Sequence, residues 1–250
     1  MIKILLNRFY FFLGTFLFVG ISFFLISANS KPLTVNLVKQ VRIDSPTVSL
    51  STSITLYDSL HLDQLGLSKD AYNKAIKGVT YYSKEGKLNN ENIVSIVDFS
   101  LPSNKKRLFV IDLKNYKLLF NTYVAHGRNS GKDVANEFSN DNSSYKSSLG
   151  FYITKDTYDG KHGYSLKLDG QEKGINDNAL SRGIVMHSAW YVAESIVKSQ
   201  GFIGRSQGCP ALPESEYKPI ISQIKGGTCL FLYSPDTKYA LHSDVLKSVS

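Results

Sequence analysis

A chain of 250 residues, 42% of them hydrophobic, is long enough to bury one generous core and has an ordinary globular composition. The formal charge is +8; Lys3 and Arg8 carry two of these charges, which leaves +6 spread thinly over residues 31–250. That balance favours polyanionic surfaces such as cell wall or lipid headgroups, and the lack of a basic stripe interleaved with aromatics argues against nucleic acid.

Residues 1–30 open with Lys3 and Arg8, continue through an apolar stretch at residues 9–26, and close on Ser27-Ala28-Asn29-Ser30. A positive start, an apolar centre and a small-residue exit make an export signal, placing the protein in the periplasm or cell envelope. The apolar stretch is also near the lower limit for spanning a bilayer, so an uncleaved membrane anchor at residues 9–26 is the second reading, after a cleaved signal. No cysteine follows it, which excludes a lipoprotein anchor. Residues 31–55 are rich in Ser and Thr, with Pro32 and Pro46, and read as a linker.

Residues 56–100 are expected to hold a helical segment that packs on the main domain. Leu67, Ala71, Ala75 and Val79 fall four apart, with Tyr72 and Ile76 beside them, which makes one apolar face. Ser68 suits the N-cap and Gly78 a stop. From Asn92 onward the pattern is that of strands. Residues 93–99 are apolar with polar interruptions, and the runs 106–112 and 117–125 are joined by a hairpin turn at 113–116. A loop at 126–131 and a polar stretch to Ser148 follow. Further strands are expected at 150–155, 164–168, 182–187 and 228–233, with helices at 190–200 and 214–225. The result is a mainly β domain over 101–235, a β-sandwich or barrel-like fold with a few helices, followed by a C-terminal tail at 236–250.

The residues that carry chemistry are His187, at the end of an apolar strand, and Cys209, twenty-two positions later in Ser206-Gln207-Gly208-Cys209-Pro210. Cysteine is a strong nucleophile only as the thiolate, and an imidazole within reach is the usual means of forming one. Gly208 lets a substrate approach the backbone, and a turn of this kind leaves N–H groups for an oxyanion. The pair predicts a thiol more acidic than the reference of about 8.5. Cys229 lies in an apolar run and reads as a small core residue, so a Cys209–Cys229 disulfide is the less favoured reading. No cofactor motif is found. A metal site built from His126, His162 and His187 lacks any ligand spacing that would support it.

Met186-His187-Ser188-Ala189 followed by Ser206-x-Gly208-Cys209 resembles the catalytic motif of the L,D-transpeptidase (YkuD-type) family. Val124-Ala125-His126-Gly127 and Ser147-Ser148-Leu149-Gly150-Phe151-Tyr152 resemble other parts of that domain, over about residues 105–235, and the turn around Cys209 resembles a divergent branch, the murein L,D-transpeptidase catalytic domain. The resemblance implies Cys209 as nucleophile, His187 as its base, Ser188 orienting the imidazole through its carbonyl, and the Gly208 and Cys209 N–H groups as the oxyanion site. It implies attack on peptidoglycan tetrapeptide stems through a thioester, resolved by a second stem as a 3–3 cross-link or by water as a carboxypeptidase. It also implies acylation by carbapenems. Two departures stand out. Gln207 replaces the family's second histidine, and Pro210-Ala211 removes its cationic or amide partner for the substrate carboxylate. Arg205 is the first candidate to replace that partner and Arg128 the second, with Ser206, Gln207 and His126 as further candidate cleft residues. Sortases need an arginine after the cysteine, and papain-like peptidases place Cys before His. A non-catalytic wall-binding protein remains the alternative of a different class.

Overall fold

Ser68 opens helix α1 (Lys69–Lys84) as expected, its side chain accepting the Ala71 N–H. The computed structural model describes residues 56–248; the expected export signal or anchor at 1–30 and the linker at 31–55 lie outside the described residues. The apolar face of α1 buries Ala71, Tyr72, Ala75, Ile76, Val79 and Tyr82. Gly78 is no stop, because the helix continues for six residues beyond it. A Cβ at Gly78 would lie 2.0 Å from the Phe151 ring, so the glycine is there to admit an aromatic side chain.

Eight strands form one sheet: β1 (Ile93–Asp98), β2 (Leu108–Asp112), β3 (Lys117–Thr122), β4 (Gly150–Gly160), β5 (Gly163–Gly170), β6 (Val185–Ser188), β7 (Ala211–Leu212) and β8 (Cys229–Tyr233). Their order is β3-β2-β1-β8-β4-β5-β6-β7, with β1–β8 and β6–β7 parallel and the remaining pairs antiparallel. Every residue of β1 and β8 is buried; β8 reads as a continuous apolar run, whereas β1 carries buried Ser95 and Asp98 within its apolar run. Phe151 and Phe231 stack at 4.2 Å between ring centroids, and Tyr82 of α1 meets Phe151 edge-on, so helix and sheet share one core.

The two edges of the sheet approach each other. Beyond β3, the Ala125 N–H donates to Ala211 O and the Arg128 N–H to Ser206 O, while the Ser206 N–H donates to His126 O. The mainly β, barrel-like expectation is therefore met by a nearly closed sheet. The expected strand 117–125 is cut at Thr122 because its last residues leave β2 and pair across the closure.

Other boundaries differ for local reasons. The β4–β5 hairpin runs farther than expected, to Gly160 and Gly163, on polar residues that give no apolar signal. Of the helix expected over 190–200, only α2 (Glu194–Gln200) forms; Gly201 closes it with φ +86. Helix α3 (Tyr217–Ile224) carries Pro219 in its first turn, where no intrahelical N–H is needed. Residues 236–248 form two short helices, α4 (Thr237–His242) and α5 (Asp244–Lys247). They are tied to the core through Glu172, which accepts from the Tyr239 hydroxyl at 3.0 Å and from Ser243 Oγ. Among the described residues no helix is long and apolar enough to cross a membrane.

Candidate active site

Strand β6 ends on His187-Ser188, and its parallel pairing with β7 sets His187 opposite Ala211, two residues beyond Cys209. Sheet register thus brings together residues twenty-two apart in sequence. Both line one cleft of about 640 Å3, together with Tyr145, Tyr158, Lys161, His162, Arg182, Tyr191, Arg205, Ser206 and Gln207. Among these described lining residues there is no carboxylate.

The turn carrying Cys209 is built by its own side chains. Ser206 Oγ accepts the Gly208 N–H at 3.0 Å and donates to Cys209 O at 2.6 Å, which pins the turn across its base. Gly208 has φ +124, and a Cβ there would meet Lys146 O at 2.9 Å, so this position requires glycine. The Gly208 carbonyl accepts from Ser147 Oγ at 3.1 Å, which itself accepts the Gly127 N–H at 3.0 Å. The three segments singled out in the sequence, around Gly127, Ser147 and Cys209, are therefore one hydrogen-bonded unit. One expectation is corrected here. The Gly208 N–H is engaged by Ser206 Oγ, so it does not face the cleft as a free oxyanion donor.

His187 is 4% exposed, and its Nδ1 lies 2.8 Å from Ser188 O. A carbonyl only accepts, so Nδ1 carries the proton and Nε2 is left as the basic atom. Burial foremost holds this imidazole below the ordinary histidine value; the Ser188 hydrogen bond opposes, and the positive charges of His162 and Lys161 add to the lowering. The Cys209 Sγ lies 3.8 Å from Gly183 O. Burial pushes this thiol up, against a backbone hydrogen bond from Val185 and the nearby charges of Arg182 and Lys161. The expected acidic thiol is thus reversed, because desolvation outweighs the two cations. The resting state is a neutral thiol and a neutral imidazole lining the same cleft. Both cysteines are free, and Cys229 is wholly buried in β8 with its thiol pushed up to about 12.

The other expected residues divide. Arg205, exposed at the cleft, places its NH1 3.3 Å from both Arg128 O and Gly131 O. Ser206 and Gln207 also line the cleft. Arg128 does not; its guanidinium stacks on the Tyr145 ring at 4.0 Å. His126 is fully buried away from the cleft. Its Nδ1 accepts from Arg107 NH2 at 2.7 Å, so Nε2–H donates to Gly131 O at 3.1 Å. Burial, with the Arg107 charge beside it, pushes its pKa down to about 4.

Arg182 and Lys161 are cleft residues that the sequence did not single out. Arg182 bonds Ser139 O, Ser148 Oγ, Ser144 Oγ and Lys146 O, so its charge is fixed in place near the sulfur. No motif marks it, because its partners lie more than thirty residues away. Lys161 and His162 sit at a hairpin tip that lines the cleft; His162, which precedes a glycine in a loop, could be read from the sequence either as a cleft residue or as a turn histidine, whereas nothing singled out Lys161.

Residues 63–233, more than half of the chain, match the family described as L,D-transpeptidase catalytic domain. No curated protein sequence matches the chain. Among solved structures, the chain is similar to an L,D-transpeptidase from Mycobacterium smegmatis at 13% identity and a TM-score of 0.35, covering 57% of this chain and 59% of that one. The chain therefore spans less than two thirds of that relative's own length. The helical cell shape determining protein Pgp2 from Campylobacter jejuni aligns at 10% identity and a TM-score of 0.41, over 69% of this chain and 62% of that one. An L,D-transpeptidase from Stackebrandtia nassauensis aligns at 14% identity and a TM-score of 0.35, over 75% and 78%.

Proposed function

The chain belongs to the L,D-transpeptidase catalytic domain family, and from that premise we propose that it is an exported cysteine acyltransferase acting on peptidoglycan tetrapeptide stems. The observation that carries the reading is the shared cleft of Cys209 and His187, with the imidazole oriented so that Nε2 is its basic atom.

Because thiol and imidazole are both neutral at rest, the base acts as the bond forms. His187 Nε2 takes the proton from Cys209 as sulfur attacks the carbonyl of the L–D amide. The Cys209 N–H and the fixed charge of Arg182 support the oxyanion, Gly208 being already engaged. Collapse of the intermediate breaks the C–N bond, and the imidazolium returns its proton to the departing D-alanine amine. The thioester on Cys209 is then resolved by an amine of a second stem, giving a 3–3 cross-link, or by water, giving a trimmed stem. Arg205 and Lys161 supply cationic partners for the stem's terminal carboxylate in a cleft whose described lining holds no acid. Export follows from the character of residues 1–30 and from where such a substrate lies.

The test is product analysis by mass spectrometry after incubation with purified tetrapeptide muropeptides. Cross-linked dimers, or tripeptides with free D-alanine, are expected from the wild-type protein and not from Cys209→Ala. Equal products from both proteins would contradict the reading, and wall association unchanged in Cys209→Ala with no products from either would favour a binding protein. A second expectation is a carbapenem adduct on Cys209, read by intact mass and lost in the same variant.

A further inference from the structure

Gly160 and Gly163 pair across the end of the β4–β5 ladder, so Lys161 and His162 make up the whole of the turn. The outer half of β4, residues 155–160, is exposed apart from half-buried Thr157, so this tip has no core of its own to hold it. At its end the His162 side chain reaches the cleft. The His162 ring lies over the His187 ring with centroids 4.4 Å apart and planes 22° from parallel. His187 is thereby fixed at one edge by the Ser188 carbonyl and covered on one face by a second imidazole.

We propose that His162 is a positioning residue for the acyl transfer. Stacked on His187, it holds the imidazole plane that presents Nε2 to Cys209 and keeps water from that face. The inference rests on the Cys209–His187 reading above.

The surroundings of His187 make its state sensitive to this neighbour. Lys161 and His162 face the cleft from the hairpin tip, Tyr158 from β4, Arg182 from the segment before β6, Tyr191 from the segment after it, and Arg205 and Cys209 from the turn. No carboxylate among the described lining residues offsets a charge on His187. A neutral His162 covers the ring without charge, whereas a protonated one sets a second cation against its face. Charge on His162 and Lys161 adds to burial in holding the His187 imidazole low, consistent with that geometry.

The experiment compares wild type, His162→Ala, His162→Phe and His187→Ala by two readouts that need no substrate. One is the rate of Cys209 carboxamidomethylation by iodoacetamide, assigned by peptide mass, across about pH 5 to 9. The other is the titration of the His187 ring followed by NMR. His162→Ala is expected to slow Cys209 modification at neutral pH by about tenfold and to move the His187 titration up towards the ordinary histidine value. His162→Phe keeps a planar ring over His187 and is expected to restore most of the rate. If His162→Ala matches wild type in both readouts, or if His162→Phe fails as fully as His162→Ala, the positioning role is overturned. Wild-type reactivity in His187→Ala would instead sink the acyl-transfer reading; the NMR titration would still decide whether His162 governs the imidazole.

Discussion

At the residue scale, the neutral resting pair sets the pH dependence. His187 is held below the usual histidine value, so turnover should rise as pH increases through that lowered value and stay level through neutrality. Since the Cys209 thiol is pushed up rather than down, a His187→Ala protein should turn over only where the thiol ionises by itself, at alkaline pH. Steady-state rates across pH for both proteins check this; a wild-type rate that rises only at alkaline pH would contradict it. Gly208→Ala should lose most activity, because φ +124 and the Lys146 carbonyl at 2.9 Å leave the turn no room for a side chain. Cys209, His187 and Gly208 were legible in the sequence because their chemistry is written in residue type and local spacing. Arg182 was not, since its place beside the sulfur comes from hydrogen bonds to a loop some forty residues earlier. His126 was misplaced for the opposite reason. A histidine before a glycine looks like a loop residue, and only its bond to buried Arg107 shows it to be core.

At the element scale, apolar period located α1 and the central strands well, since both follow directly from burial. It failed at Gly78 because the usual meaning of a late glycine, a helix stop, competes with a packing role that depends on Phe151, more than seventy residues away. Replacing Gly78 with Ala improves helix propensity by roughly 1 kcal/mol but drives a methyl into the Phe151 ring, and overpacking of this kind costs about 1–3 kcal/mol. The clash at 2.0 Å is severe, so the second effect should win. Urea denaturation of Gly78→Ala should show a lower midpoint, and an unchanged or raised midpoint would mean that α1 can shift off the sheet at little cost. The β4–β5 hairpin was underestimated because its outer half is polar on both faces, which removes the alternation by which a strand is recognised.

At the scale of the whole molecule, closure of the sheet makes the site. The edge strands β3 and β7 are far apart in sequence order, and their approach through residues 125–128 and 206–211 positions the turn that carries Cys209. No local pattern could show this, because the pairing belongs to the fold rather than to either segment. The closure rests on the buried Arg107–His126 pair, in which Arg107 also bonds Val124 O and Leu101 O. His126 titrates near 4 in the folded protein against about 6.5 when unfolded, so the unfolded chain binds the extra proton first as pH falls. Stability should therefore drop by about 3 kcal/mol between about pH 6.5 and 4 through this group. Chemical denaturation across that window should show the loss, with a flatter profile in His126→Gln. The measurement that bears most directly on the central claim is intact mass spectrometry of the protein quenched in acid during turnover of a tetrapeptide muropeptide. The account predicts an adduct on Cys209 equal to the muropeptide less D-alanine, absent in Cys209→Ala. D-Alanine released with no adduct in the wild type, and released equally by the variant, would contradict it.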